Sequence, residues 1–175
     1  NDMRHIFAIL LLVLAMGVSA QPLPECAVEP LLSTIRVQTA PYNRSCPYYN
    51  YGDSVSSQPC LVGCVATAIE QLLSYYRYPD ALLDSIPGWK TDNYSMETVP
   101  SGSVIDWDDV ADLSLWCGMI VQMKYGPTAS AAGLWRAEEP LKQVFGYKTV
   151  KILDRSLYSF DAWHRILQNE LLSGR

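Results

Sequence analysis

The chain has 175 residues, 49% of them hydrophobic, and 13 basic against 18 acidic side chains give it a net charge of −5. That length and apolar content support one domain with a real core. The acidic balance, with no basic run, argues against nucleic acid as a partner.

Arg4 and His5 precede a nearly unbroken apolar run from Ile6 to Val18, and Val18-Ser19-Ala20 forms a small-x-small cleavage site. This pattern predicts a signal peptide over residues 1–20 and a secreted protein, extracellular or held at the cell surface. The run is too short for a comfortable membrane span, and no later run is long enough to replace it. Asn1 and Asp2 precede Met3, which points to Met3 as the natural start.

After the leader, Thr34–Thr39 alternates like a short strand, and Tyr48 to Pro59 is a loop of turn residues. Val65 to Tyr76 predicts a helix, with Val65, Ala68, Ile69, Leu72 and Tyr76 at helical spacing on one face. Pro79 stops it, because proline disfavours helix at the preceding residue. Residues 81–102 read as irregular around a Pro87-Gly88 turn. Val110 to Met123 predicts a second helix, apolar on most sides and therefore buried. Thr128 to Gly133 is a loop of small residues, and Leu134 to Phe145 a third helix that Pro140 interrupts. Lys148 to Leu153 alternates like a strand. Ser159 to Leu172 then carries a helical stripe of Phe160, Trp163, Ile166, Leu167 and Leu171.

The chemistry centres on Gly63-Cys64-Val65-Ala66-Thr67-Ala68, where an extended loop turns into a helix. A thiol at a helix N-terminus feels the positive end of the macrodipole, which favours the nucleophilic thiolate. Gly63 leaves space beside the sulfur for a substrate carbonyl. A small buried structural cysteine is the competing reading of Cys64. Gln38 carries an amide that could donate to an oxyanion beside the Cys64 N–H; alternatively it is a surface glutamine on an edge strand. His164, the one histidine after the leader, sits just off the apolar stripe of its helix and reads as a surface residue.

The other cysteines are Cys26, Cys46, Cys60 and Cys117, and the odd total leaves at least one thiol unpaired within the chain. A Cys46–Cys60 bridge would bracket the loop that enters the helix. Their spacing, with no nearby histidine, does not suit zinc. Asp106, Asp108 and Asp109 read as a helix N-terminal cluster rather than a calcium loop, so no metal and no cofactor is expected.

Together these residues resemble the streptopain family of secreted bacterial cysteine peptidases. Gly63 to Ala68, with Gln71 and Tyr75 through Tyr78-Pro79, resembles its nucleophile helix, and Gln38 with Pro41-Tyr42-Asn43 its oxyanion-glutamine segment. Asp106-Trp107, Met123 through Pro127, Gly133 and Phe145-Gly146-Tyr147 follow in the family's order. Trp163 through Leu171 resembles the helix before the catalytic histidine. The resemblance implies an α+β, papain-like fold in which residues 21–175 are the N-terminal portion of the peptidase domain. That portion would hold the helical subdomain and lack most of the β-rich one. It implies endopeptidase action on proteins or peptides through a thioester acyl-enzyme. Cys64 would be the nucleophile and Gln38 would contribute to the oxyanion hole, while Ala131 and Gly133 would border the substrate.

Three departures shape the expectation. The family's Gly-Gly-His segment would come after Arg175, so the general base is absent from this chain and the remainder of the domain is an expected partner. A long propeptide normally lies between leader and catalytic domain, whereas here mature-like sequence begins within about ten residues of the cleavage site. The family commonly has serine where this chain has Ala131, and the stretch from Trp107 to Tyr125 is shorter than usual. The chain is therefore expected to be inactive alone. A secreted non-catalytic binding or inhibitory module, derived from a cysteine peptidase, is the alternative.

Overall fold

A computed structural model of the protein describes residues 31–174. The expected leader and Cys26 lie outside the described residues. The described chain contains two small hairpins, four helices and two short 3-10 turns.

The first hairpin pairs β1 (Tyr48–Asn50) with β2 (Val55–Pro59), antiparallel and with an irregular register. The second pairs β3 (Trp89–Lys90) with β4 (Ser95–Met96). They meet at Asn50 and Asn93: the Asn50 N–H donates to the Asn93 carbonyl at 2.7 Å, and Asn93 Nδ2 returns a bond to the Asn50 carbonyl at 2.9 Å. Both regions read as irregular from sequence. In contrast, the segments expected as strands at Thr34–Thr39 and Lys148–Leu153 are not strands. Each lacks a neighbour to complete a ladder among the described residues, and alternation without a partner does not make a sheet.

Helix α1 (Cys64–Tyr76) begins one residue before the predicted start and ends at Arg77, whose left-handed backbone (φ 47°) donates to the Leu73 carbonyl at 2.8 Å. Its buried face is Ala66, Ile69, Glu70 and Leu73, one residue round from the predicted stripe, so Leu72 and Tyr76 lie exposed. Helix α2 (Ala111–Ile120) packs against α1 and is buried along most of its length, as expected for a sequence apolar on most sides. Gly118 lets the Tyr125 ring approach the helix closely. Fully buried side chains such as Leu73, Leu113 and Phe145 anchor this core, each contributing roughly 1.5–3 kcal/mol.

Leu134–Ala137 forms a 3-10 turn that leads into α3 (Glu138–Gln143). Pro140 falls in the first turn of α3, where a missing N–H costs nothing, so the predicted helix divides there rather than breaking. Helix α4 (Phe160–Leu172) is capped by Ser159, whose Oγ accepts from the Ala162 N–H at 3.3 Å. No residue of α4 is buried; of its apolar stripe, Trp163 packs on Tyr158 with ring centroids 5.8 Å apart and lies under the Arg155 guanidinium, while Phe160, Leu167 and Leu171 are exposed.

Candidate active site

The approach to α1 fixes the site. Leu61 N–H donates to the Gly126 carbonyl at 3.1 Å and Val62 N–H to the Gln38 carbonyl at 3.0 Å, so the incoming strand of chain is held on both sides. Asn43 Nδ2 secures the same entry through the Pro59 and Cys60 carbonyls at 3.1 and 3.2 Å. Gly63 then turns the chain with φ 89° and ψ 139°, a conformation close to reserved for glycine. Its carbonyl accepts from the Thr67 N–H at 3.0 Å and the Thr67 hydroxyl at 3.1 Å.

Cys64 is the first residue of the helix, and no side chain caps the N-terminus. The first-turn N–H groups have no intrahelical carbonyl to meet, so they remain available to an anion. Cys64 lines an open cavity of about 700 Å³ together with Gln38, Thr67, Gln71, Thr128 and Ser130. The sequence-predicted pair, Cys64 and Gln38, is thus brought to one cavity. Ala131 and Gly133 lie beside rather than among its lining residues. Ala131 exchanges backbone hydrogen bonds with Lys124 at 2.9 and 3.1 Å, and the Trp135 ring covers Gly133.

The four described cysteines divide sharply. Cys46, Cys60 and Cys117 are buried, while Cys64 is exposed. Burial pushes the Cys46 thiol up to about 12, with the neighbouring Cys60 adding to the effect. Cys60 is pushed up to about 11 by burial, and Cys117 rises for the same reason, helped by Glu70. The expected Cys46–Cys60 bridge is absent: both are free thiols, and the Cys46 thiol lies beside the Tyr125 hydroxyl.

His164 is exposed on α4 and stacks on Phe160 with ring centroids 4.6 Å apart; it does not line the Cys64 cavity. Asp106 acts on backbone, its Oδ1 accepting from the Asp108 and Asp109 N–H groups at 2.9 and 3.0 Å. Among the described residues no group of three or more His, Cys, Asp or Glu is arranged to hold a metal ion.

Two residues at the site were not singled out from sequence. Arg36 lines the cavity, and its Nε lies 3.4 Å from Oε1 of Glu70 on the buried face of α1. The signal was present: Glu70 occupies the i+4 place of the set Ala66, Ile69, Glu70, Leu73, where a carboxylate has no reason to be unless something meets it.

An exposed cysteine opening a helix, with a glutamine lining the same cavity, belongs on an α+β frame of the papain-like cysteine peptidase type. The chain is similar to interpain A of Prevotella intermedia, a cysteine protease, at a TM-score of 0.72 and 27% identity, over 84% of this chain and 66% of that one. A fragment of prointerpain A matches at a TM-score of 0.70 and 26% identity, over 82% and 51%. Residues 37–175 match the Peptidase C10 family, and the chain belongs to that family. Streptopain of Streptococcus pyogenes is 28% identical over 142 residues, covering 67% of this chain and 36% of its own length. The serotype M1 streptopain is 27% identical over the same span. The chain therefore spans about a third of the length of these curated relatives.

Proposed function

We propose that this chain carries the nucleophile half of a secreted cysteine endopeptidase. Cys64 attacks the scissile carbonyl, and the Gln38 amide and the Cys64 N–H hold the oxyanion that forms. Collapse of that intermediate breaks the C–N bond, the amine leaves with the proton given up by the thiol, and a thioester acyl-enzyme remains, which water hydrolyses to a carboxylic acid and the free thiol. Ala131 and Gly133 border the path of the peptide. The observation that carries this reading is the exposure of Cys64 alone among the four described cysteines, at an uncapped helix start on Gln38's cavity.

A base for the thiol comes from outside the described residues, since His164 does not line the cavity. Loss of one member of such a unit costs several orders of magnitude in rate, so residues 21–175 alone do not hydrolyse casein. The leader pattern of residues 1–20 supports export. No helix among the described residues is long and apolar enough to cross a membrane.

The test is covalent labelling of purified 21–175. A peptidyl chloromethyl ketone labels Cys64 faster than iodoacetamide does, and Cys64→Ala removes the label. Equal, slow reaction with both reagents would leave Cys64 a structural residue. A second reading is a secreted non-catalytic module. That reading predicts specific capture of a protein unaffected by Cys64→Ala.

A further inference from the structure

Among the described residues, few contacts hold residues 31–38 as they approach the site. Leu32, Ile35 and Val37 are exposed, while Thr34, Arg36 and Gln38 turn inward. The backbone bond from Val62 N–H to the Gln38 carbonyl ties this segment to the loop before α1. The remaining grip is made by Arg36. Its guanidinium stacks 5.1 Å above the Tyr42 ring, and its Nε pairs with Glu70 at 3.4 Å without forming a hydrogen bond.

Glu70 is 1% exposed and also accepts from the Ser74 hydroxyl at 2.8 Å. Burying both ends of an ion pair is a poor way to gain stability. A hydrophobic pair of the same volume would serve the core as well. What the ion pair does supply is a fixed distance between the segment carrying Gln38 and the helix carrying Cys64, made two residues before Gln38 and one before Gln71.

We propose that the Arg36–Glu70 ion pair is a positioning device that sets the Gln38 amide against Cys64. This rests on the reading of Cys64 as nucleophile and Gln38 as oxyanion donor. Neither Arg36 nor Glu70 touches the reacting atoms; both act through Gln38. Loss of the pair lets the inward run of Thr34, Arg36 and Gln38 drift on the backbone bond from Val62. The thiol itself remains where the α1 start and Gly63 place it.

Two reactions of Cys64 in the full chain separate the roles. Alkylation by iodoacetamide develops no oxyanion. A dipeptide aldehyde instead forms a hemithioacetal: the sulfur bonds to the carbonyl carbon, the C=O π pair moves to oxygen, and that oxygen receives the thiol proton. Its oxygen sits where the Gln38 amide donates. Gln38→Ala is expected to weaken the aldehyde adduct about tenfold and to leave the alkylation rate unchanged. Glu70→Gln, which keeps the shape of the buried side chain, and Arg36→Ala are expected to weaken the adduct at least about threefold, again with alkylation unchanged. Combined with Gln38→Ala, neither adds a further loss. The positioning role is overturned if Gln38→Ala weakens the adduct but Glu70→Gln and Arg36→Ala do not. It is also overturned if their losses add to that of Gln38→Ala, or if adduct and alkylation fall together as general damage would make them. If Gln38→Ala leaves the adduct unchanged, or the wild-type chain forms none, the oxyanion reading fails and takes this inference with it.

Discussion

Met123 fills the space beside the Cα of Gly63: a Cβ there would lie 2.7 Å from Met123 Cε and 2.8 Å from Sδ. The residue before Cys64 is thus constrained twice, by a backbone angle only glycine adopts freely and by a buried thioether. A methionine end can swing aside, whereas φ 89° cannot be relieved by any neighbour.

The backbone is therefore expected to dominate. Gly63→Ala should cost about 1–3 kcal/mol of stability, read from urea unfolding. Shortening the neighbour as well, in Gly63→Ala/Met123→Ala, should leave the two costs additive to within about 0.5 kcal/mol. A strongly compensating pair would mean that crowding, not the turn, requires the glycine.

The same helix shows how far the sequence could be read. Its start, to within a residue, its end and the cysteine at its head follow from Gly63, Pro79 and apolar periodicity. The direction of its buried face did not, because a stripe chosen from apolar residues alone passes over Glu70. With Glu70 excluded, Val65, Ala68 and Leu72 look like the best stripe; with Glu70 paired to Arg36, the face turns to Ala66, Ile69 and Leu73. The partner lies 34 positions away in the chain, and single-sequence periodicity carries no signal at that range. The hairpins were hidden for a local reason: β2 reads Val-Ser-Ser-Gln-Pro, which has neither apolar alternation nor strong strand formers beyond Val55. Cys64 and Gln38, which line one cavity, could be singled out because residue type and short motifs mark them locally.

Cysteine reactivity should divide as burial does. Cys46, pushed up to about 12, holds only about a thousandth of its thiol as thiolate at pH 9. Cys60 and Cys117 are raised by burial too. Brief iodoacetamide treatment of the folded chain between pH 7 and 9, followed by peptide mass mapping, should modify Cys64 and leave these three intact. All four should react after unfolding in urea. Modification of Cys46 or Cys60 at a rate near that of Cys64 in the folded chain would contradict the burial of their thiols.

Glu70 predicts a pH dependence with a definite sign. Burial raises its carboxyl above the ordinary value of 4.5, and the opposing effects of Ser74 and Arg36 do not cancel this. The folded chain therefore binds the proton more tightly than the unfolded chain does. Stability from this group is fully present below pH 4.5 and is lost as pH rises through the raised folded value. Glu70→Gln lacks that loss. The urea midpoint of wild type minus that of Glu70→Gln should fall as pH rises from 4.5 toward neutrality and then level off. A difference that stays flat, or rises, would show that Arg36 stabilises the carboxylate more than burial penalises it. The expected sign fits a pair retained for placement at some expense of stability.

Gly118 and Tyr125 test whether the core beneath the site is as tightly fitted as the turn above it. A Cβ on Gly118 would overlap the Tyr125 hydroxyl and come within 2.9 Å of Cζ. That hydroxyl is held by donation to the Leu115 carbonyl at 3.3 Å, and the residue is only 3% exposed, so a rigid ring has little room to retreat. Alanine in place of glycine gains about 0.8–1.0 kcal/mol in a helix. Overpacking costs about 1–3 kcal/mol, and with an unyielding neighbour the larger figure should prevail. Gly118→Ala is thus expected to destabilise the chain by about 1–2 kcal/mol, and by clearly less in a Tyr125→Phe background where the overlapping oxygen is gone. The consequence reaches the site, because Tyr125 precedes Gly126, whose carbonyl anchors Leu61 at the entry to α1. Displacement of Tyr125 should therefore slow chloromethyl ketone labelling of Cys64 in Gly118→Ala, and Tyr125→Phe should recover part of that rate. Labelling unchanged by Gly118→Ala would show that the core and the cysteine are decoupled.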